Sequence, residues 1–222
     1  MGREPQGKLG ILKRIITSKI ILKCDPGLSS TNYQLAIVEK FPSGVYVDTF
    51  QLNNLEQQNQ QWQVLINEAI DVEMPEYLSQ EFEAYFYVIL RNVNEHQMEA
   101  NISVPIHLRY HKPSENPDEY YVNVFIHNPK LYLKNDQKEL SSCFKSTEQI
   151  LFSCDKHNKA VCDWHSVPYF AQNENGLRVS VPVGHSEDEI LVTYITIFIT
   201  CIGSIYIVYL LCKMDNIHQK QL

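Results

Sequence analysis

The stretch Ile190-Leu-Val-Thr-Tyr-Ile-Thr-Ile-Phe-Ile-Thr-Cys-Ile-Gly-Ser-Ile-Tyr-Ile-Val-Tyr-Leu-Leu-Cys212 decides how this chain is organised. It contains no charged residue and no His, Asn, Gln or Pro. As a helix it reaches roughly 34 Å, enough to cross the hydrocarbon core of a bilayer. A buried core helix or the apolar core of a signal peptide is the alternative, but such segments are usually shorter and less uniformly apolar. We therefore expect one transmembrane helix at residues 190–212.

The residues on either side of this helix predict its orientation. An acidic run at residues 187–189 precedes the helix, whereas Lys213 and Lys220 follow it. Basic residues are retained on the cytoplasmic side of a membrane, and acidic residues contribute little to the choice. We therefore expect residues 213–222 to form a short cytoplasmic tail and residues 1–189 to lie outside the cytoplasm, which is a type I topology.

Two small residues interrupt the bulky side chains of the helix. Gly203 and Ser204 would let the helix of a partner approach closely, since small residues favour packing of helices in membranes. One Gly-Ser pair is also ordinary helix composition and is not a GxxxG motif.

The N-terminus does not have the pattern of a conventional signal peptide. Basic residues break up any apolar run in residues 1–23, at positions Lys8, Lys13, Arg14, Lys19 and Lys23. Either the C-terminal helix inserts unaided, or a cleaved segment precedes Met1 in the natural protein. We favour the second interpretation.

The charge of residues 1–189 argues against a nucleic-acid partner. The whole chain has a formal charge of −7, and the part after Glu189 contributes +1, because Lys213 and Lys220 oppose Asp215. The remaining residues therefore carry −8. An acidic surface of this kind repels the phosphates of nucleic acid.

Cysteines and one sequon are consistent with a secretory compartment. Four cysteines lie before the helix: Cys24, Cys143, Cys154 and Cys162. In an oxidising compartment this even number favours disulfides over four separate buried thiols, and the spacing lacks the C-x2-C pattern of zinc sites. Three pairings are open; a Cys154 to Cys162 bridge would close a small loop and leave Cys24 for Cys143. The sequon at Asn101 is a candidate for N-glycosylation.

The pattern of residues 1–189 predicts a mainly β domain, a β-sandwich. Its apolar runs are short, alternate with polar residues, and are rich in Val, Ile, Tyr and Phe. We predict strands at residues 9–16, 18–23, 33–39, 44–47, 61–66, 83–91, 102–111, 120–127 and 176–181. The polar stretch 52–61 is either a helix or an ordered loop.

The densest group of functional side chains lies at residues 105–113. A strand would place His107, Arg109 and His111 on one face, and we expect the other face to fill the core with Ile106, Leu108 and Tyr110. The three polar residues are candidates for a partner interface; a metal site is the alternative, but it has no evident third ligand. No nucleophile motif, H-E-x-x-H or phosphate-binding Gly loop is present, so we predict no catalytic set and no cofactor.

Five stretches in this order carry a family resemblance: Phe41-Pro42-Ser43-Gly44-Val45-Tyr46-Val47-Asp48, Met74-Pro75-Glu76-Tyr77-Leu78-Ser79, Pro105 to Pro113, Cys143 with Cys154 and Cys162-Asp163-Trp164, and Val181-Pro182-Val183-Gly184. Together with the C-terminal helix they resemble the PIG-X family, the phosphatidylinositol-glycan biosynthesis class X proteins, related to yeast Pbn-type proteins. The resemblance covers residues 12–212.

This resemblance implies a type I protein of the endoplasmic reticulum with a lumenal β-domain. It implies the role of a non-catalytic, stabilising subunit of GPI mannosyltransferase I. The expected partner is the multi-pass class M subunit (PIG-M), which transfers the first mannose from dolichol-phosphate mannose. Two other hypotheses are a general chaperone or cargo receptor of the endoplasmic reticulum, and a lumenal enzyme that uses His107, Arg109 and His111.

Overall fold

A computed structural model describes residues 2–6, 12–23, 33–59, 61–134, 148–157 and 160–218. The chain divides into two units, one of Met1–His111 with Tyr121–Val181 and one of Lys112–Tyr120 with Pro182–Leu222. The strands are β1 Gly2–Gln6, β2 Lys13–Lys23, β3 Gln34–Phe41, β4 Val45–Tyr46, β5 Trp62–Ile66, β6 Phe82–Ile89, β7 Arg91–Asn94, β8 Gln97–Leu108, β9 Tyr121–Ile126, β10 Lys130–Lys134, β11 Gln149–Ser153, β12 Val161–Ser166 and β13 Leu177–Pro182. The helices are α1 Thr49–Asn59 and α2 Glu189–His218, with 3₁₀ turns at Glu76–Leu78 and Ser186–Asp188.

The first unit is a sandwich of two antiparallel sheets, as predicted. One sheet has the order β1-β2-β8-β4, with β7 also paired to β8, and the other has the order β11-β12-β10-β3-β6-β5. Strands β9 and β13 form a separate pair. Side chains from both large sheets, including Ile16 and Ile102 of one and Ile37 and Phe86 of the other, line the same small internal space. The main core therefore lies between the two sheets.

Alternation of apolar and polar residues explains most of the strands. The predicted strands at 33–39, 44–47, 61–66, 83–91, 120–127 and 176–181 are confirmed to within two residues at each end. The two strands predicted before Lys23 are one continuous strand, β2, which pairs with β8 from Lys13↔His107 to Lys23↔Gln97. Residues 9–11 lie outside the described residues. Strands β1, β7, β10, β11 and β12 were not predicted.

Helix α1 settles the open alternative at residues 52–61 in favour of a helix. The Asp48 carboxylate caps it, accepting hydrogen bonds from the backbone N–H groups of Phe50 at 2.9 Å and Gln51 at 3.1 Å. Leu52 is fully buried and Leu55 packs against the core. The cap and these two apolar anchors explain a helix whose sequence is otherwise rich in Gln and Asn.

A second apolar cluster lies apart from the main core. Trp164 of β12 is fully buried and stacks on Phe152 of β11, with ring centroids 4.8 Å apart. It also contacts Tyr87 of β6, whose hydroxyl donates to the carbonyl of Ser153 at 3.0 Å. Burial raises the pKa of Tyr87 to about 12. The hairpin β11–β12 therefore packs its aromatic side chains onto residues of the neighbouring strands.

A disulfide and an ion pair hold the tip of this hairpin. Cys154 and Cys162 are bonded, which confirms that pairing. Lys156 at the tip donates to Asn53 Oδ1 at 2.7 Å and Glu56 Oε2 at 2.8 Å, both on α1. Cys24 and Cys143 lie outside the described residues, so their pairing stays a prediction.

The second unit contains the predicted transmembrane helix. Helix α2 is long and apolar enough to cross a membrane, and none of its apolar stretch is buried within the protein. Before it, Ser114 and His185 form a parallel bridge, and the N–H of Ser186 donates to the carbonyl of Ser114 at 3.0 Å. The segment 112–120 is thereby joined to the residues that lead into the helix.

Removing the hairpin disulfide should destabilise the first unit. For the eight-residue separation between Cys154 and Cys162, loop-closure entropy predicts that Cys154→Ser/Cys162→Ser lowers the free energy of unfolding by about 2.5 kcal/mol. Urea titration of the full chain in mild detergent, followed by tryptophan fluorescence, measures this, because Trp164 lies in the cluster under the hairpin. The matched control is Cys201→Ser/Cys212→Ser in α2, expected to change the value by less than about 0.5 kcal/mol. An unchanged midpoint for the hairpin variant would contradict the prediction.

Candidate functional site

Three separate stretches of the chain meet at the end of β8. Ser43 donates its hydroxyl to Glu76 Oε1 at 2.9 Å, and the N–H of Glu76 donates to the carbonyl of Tyr110 at 2.9 Å. The N–H of Arg109 donates to the carbonyl of Gly44 at 2.9 Å. We call this meeting point, formed by residues 43–46, 71–76 and 107–111, the Arg109 junction.

The Arg109 side chain is the centre of the junction. Only 5% of Arg109 is exposed, and its Nη1 donates to the carbonyls of Asp71 at 2.7 Å and Met74 at 2.5 Å. The guanidinium also lies over the Tyr46 ring, 4.9 Å from its centroid. Burial lowers the pKa of Arg109, while Tyr46 and Asp71 favour its charged form. A guanidinium with so high an intrinsic pKa stays protonated, so the junction contains a buried cation.

The two histidines make separate contacts around this cation. His107 stacks on Tyr46 with centroids 4.9 Å apart, and its Nε2 lies 3.2 Å from Gln51 Oε1. Burial, together with the charge of Lys13, lowers the pKa of His107 below the usual value, which favours the neutral ring. His111 Nδ1 lies 3.4 Å from Glu76 Oε2.

Gly44 permits the close approach of His111. A Cβ atom at position 44 would lie 3.2 Å from His111 Nε2 and 3.0 Å from a methyl carbon of Val124. Any larger residue would have to displace one of these neighbours. Close packing therefore explains the presence of glycine at position 44.

Several sequence expectations for this region were wrong. Strand β8 ends at Leu108 and does not reach His111. Ile106 and Leu108 fill the core as expected, but Tyr110 is 72% exposed and Arg109 is buried. The alternation breaks because the chain leaves the sheet after Leu108, so positions 109 and 110 no longer follow the faces of a strand.

The junction does not gather its polar groups around one point, as a catalytic set requires. His107 contacts α1 through Gln51, Arg109 contacts residues 71–74, and His111 contacts Glu76. Across the described ranges, no group of three or more His, Cys, Asp or Glu side chains is placed to hold a metal ion. The contacts seen here are those that fix loops to a sheet, and the role of the three side chains at a partner interface stays a prediction.

Sequence reasoning missed Tyr46, Glu76 and the carbonyls of Asp71 and Met74. The stretches 41–48 and 74–79 were noted for their resemblance, yet nothing in either stretch indicated that they meet around Arg109. The burial of Arg109 could be predicted only if its hydrogen-bond acceptors were known. The acceptors of its Nη1 are backbone carbonyls, which no residue type in the sequence marks.

The other candidate residues lie elsewhere in the fold. Asn101 is exposed on β8, and the hydroxyl of Ser103 in the same sequon lies 3.2 Å from that of Thr17. In α2, Ser204 donates its hydroxyl to the carbonyl of Thr200 at 2.8 Å, and a Cβ atom at Gly203 would meet nothing within 4 Å. Glycosylation of Asn101 and helix contact through Gly203 and Ser204 stay predictions.

Comparison with known proteins identifies relatives over most of the chain. The family described as PIG-X / PBN1 matches residues 13–212. The human protein named GPI alpha-1,4-mannosyltransferase I, stabilizing subunit, is 30% identical over 184 residues, which cover 82% of this chain and 69% of the human protein. Mouse and rat proteins of the same name are 29% and 28% identical and are covered over 70% and 71% of their lengths. No solved structure matches the chain.

Replacing Arg109 should destabilise the first unit. Arg109→Met keeps most of the side-chain volume but leaves the carbonyls of Asp71 and Met74 without their donor. We expect the free energy of unfolding to fall by about 3 kcal/mol. Arg178→Met is the control, because Arg178 lies exposed over Phe125, and it should cost less than about 0.5 kcal/mol. Urea titration in mild detergent measures the free energy of unfolding of both variants. Equal losses would show that the buried contacts of Arg109 stabilise the first unit no more than the exposed contact of Arg178 does.

Proposed function

Because the chain belongs to the PIG-X / PBN1 family, we propose that it is the non-catalytic, stabilising subunit of a GPI mannosyltransferase I. The observation that carries this proposal is the match to three mammalian stabilising subunits over 184 residues, 82% of the chain. The family match at residues 13–212 includes most of the sandwich and the apolar part of helix α2. The reaction assisted is transfer of the first mannose from dolichol-phosphate mannose during GPI-anchor biosynthesis.

The proposed partner is the catalytic, multi-pass class M subunit, PIG-M. A single helix such as α2 is poorly suited to form a site for two lipid-linked substrates, so the chemistry belongs to a partner with more membrane segments. The described part of the sandwich supports a non-catalytic role, because the polar residues of the Arg109 junction hold loops in place.

We propose the endoplasmic reticulum membrane as the location, with residues 1–189 in the lumen, residues 190–212 in the bilayer and residues 213–222 in the cytoplasm. Lys213, directly after the apolar stretch 190–212 of α2, supports this orientation. The Cys154–Cys162 disulfide also supports it, since disulfides persist in the oxidising lumen and are rare in the cytosol.

Stabilisation by such a subunit follows from mass action. A protein that binds the native form of its partner and not the unfolded form adds a free energy that grows with its concentration over the dissociation constant. At a concentration of about one hundred times Kd the gain is about 2.7 kcal/mol, enough to change the abundance of a marginally stable membrane protein.

Helix α2 offers one contact for this partner at Gly203 and Ser204. The hydroxyls of Thr196, Thr200 and Ser204 each donate to a carbonyl one turn earlier in α2. These hydroxyls need no acceptor from a partner. This side of α2 therefore carries small side chains whose hydrogen bonds are already made within the helix. We propose that it packs against a helix of the catalytic subunit.

Depleting the chain should lower the catalytic subunit and GPI-anchored surface proteins together. The reason is that the catalytic subunit loses the partner that stabilises its native form. Immunoblotting of the catalytic subunit and flow cytometry of GPI-anchored proteins measure the two quantities, and re-expression of the chain should restore both. If the catalytic subunit remains abundant and active in depleted cells, the proposed function is wrong. Recovery of many unrelated membrane proteins with the chain would instead favour a general chaperone.

Enlarging Gly203 should weaken the contact between helices. Gly203→Leu fits the chain alone, because nothing lies within 4 Å of the new Cβ atom, but it would keep a partner helix at a distance. We expect about tenfold weaker binding, equivalent to about 1.4 kcal/mol. Co-purification of the catalytic subunit in mild detergent measures the loss, with Ile205→Leu as the volume-conserving control. Equal recovery with both variants would place the contact elsewhere.

A further inference from the structure

The loop that Arg109 holds, residues 67–81, combines acidic residues with exposed apolar side chains. It contains five acidic residues and no Lys, Arg or His. It also exposes large apolar side chains: Val72 is 45% exposed, Tyr77 49% and Leu78 62%. Tyr110, bonded through its carbonyl to the N–H of Glu76, adds a fourth at 72%. Contiguous exposed apolar residues with a charged rim mark sites of protein interaction.

Hydrogen bonds within the chain fix residues 71–79 of the loop. Arg109 bonds the carbonyls of Asp71 and Met74, and the Ser79 hydroxyl donates to the carbonyl of Pro75 at 2.9 Å. The Asp71 carboxylate accepts the N–H of Glu73 at 2.9 Å. Binding through this loop would therefore lose little conformational entropy, which favours affinity.

A cavity of about 340 Å³ opens beside these residues. Its lining includes the apolar side chains of Ile70, Met74 and Leu78 and the acidic residues Glu68 and Asp71. Arg109 also lines it: its Nη1 donates to two carbonyls and its guanidinium lies over the Tyr46 ring, while its Nε is buried without a hydrogen-bond partner among the described residues. This arrangement suits a long amphipathic side chain, with its methylene stem on the apolar wall and its cationic end at the carboxylates.

Part of the acidic charge of the loop is available to a partner, although Asp71 also favours the charged form of Arg109. Glu81 is paired with Lys40, and Glu76 lies by His111. By contrast, Glu68, Asp71 and Glu73 are exposed. In the part of the chain that the structure describes, no Lys, Arg or His nitrogen forms an ion pair with these three carboxylates. An anionic membrane surface would be repelled by them, whereas a basic protein segment would be attracted.

We propose that loop 67–81 with Tyr110 is a docking surface for a basic, apolar segment of a protein partner, one of whose Lys or Arg side chains enters the cavity beside Leu78. This inference rests on the proposed function, which makes the catalytic mannosyltransferase subunit the partner. The apolar residues supply the buried area of the contact, and the carboxylates supply its specificity and its dependence on salt.

Two variants of the full chain test the surface. Tyr77→Ser/Leu78→Ser removes apolar contact, and Glu68→Gln/Glu73→Gln removes two charges while leaving Asp71, which acts on Arg109, in place. We expect each to recover about tenfold less catalytic subunit in mild detergent. Wild-type recovery should fall as salt rises from about 0.05 to about 0.5 M, and the charge variant should lose most of that dependence.

Matched control variants carry the same types of substitution at exposed positions outside loop 67–81. Leu151→Ser/Val161→Ser alters two apolar residues of the hairpin, which are 68% and 63% exposed. Glu95→Gln/Glu115→Gln removes two exposed charges. Controls should recover the catalytic subunit like the wild type. Thermal denaturation of every variant in detergent should give an unchanged midpoint, so that a loss of binding reports the surface and not the fold.

A photo-crosslinking residue at position 78 identifies the occupant. A crosslink to a segment of the catalytic subunit that contains Lys or Arg beside apolar residues supports the inference, and crosslinks to lipid alone overturn it. If the loop variants recover as much catalytic subunit as the controls, with the same salt dependence, the inference is overturned while the proposed function stands. If wild-type chain recovers no catalytic subunit at all, the proposed function fails and this inference falls with it.

Discussion

The buried guanidinium of Arg109 is the contact on which one end of the sandwich depends. Removing a cation from water is costly, and the cost is offset only when its hydrogen bonds are made inside the protein. Here the carbonyls of Asp71 and Met74 accept from Nη1 and the guanidinium lies over the Tyr46 ring, while Nε is buried without a hydrogen-bond partner among the described residues. Because those acceptors belong to the loop between β5 and β6, Arg109 fixes that loop together with the contacts of Glu76 to Ser43 and Tyr110.

The other sheet depends on a different constraint, the burial of its aromatic residues on both faces. Phe86 points into the main core, whereas Tyr87 belongs to the cluster around Trp164. Successive side chains of β6 therefore lie on opposite faces of the sheet, as they do along any pleated strand. The hairpin β11–β12 covers the second cluster, and its disulfide together with Lys156 on Glu56 keeps it closed.

These two features suit a protein whose proposed task is to bind and not to catalyse. Stabilising a partner requires a surface that is already ordered, since each residue ordered on binding reduces the affinity. The Arg109 junction orders a loop that displays apolar and acidic side chains, and α2 presents small residues whose hydroxyls are satisfied within the helix. His107, Arg109 and His111, which the sequence offers as catalytic candidates, instead make contacts with neighbouring segments of the chain.

The sequence alone determined the apolar helix, the β class and most strands, and it left three disulfide pairings open, from which the structure selected Cys154 with Cys162. The helix, the β class and the strands depend on composition or local alternation, so neighbouring residues specify them. Tertiary structure decided that Arg109 is buried and Tyr110 exposed, and that stretches 43–46 and 71–76 meet there. It also decided that β2 is one strand, because β8 pairs with it along its whole length. Contacts between residues far apart in the chain depend on how loops cross the sheet ends, and no local pattern of residues encodes that path.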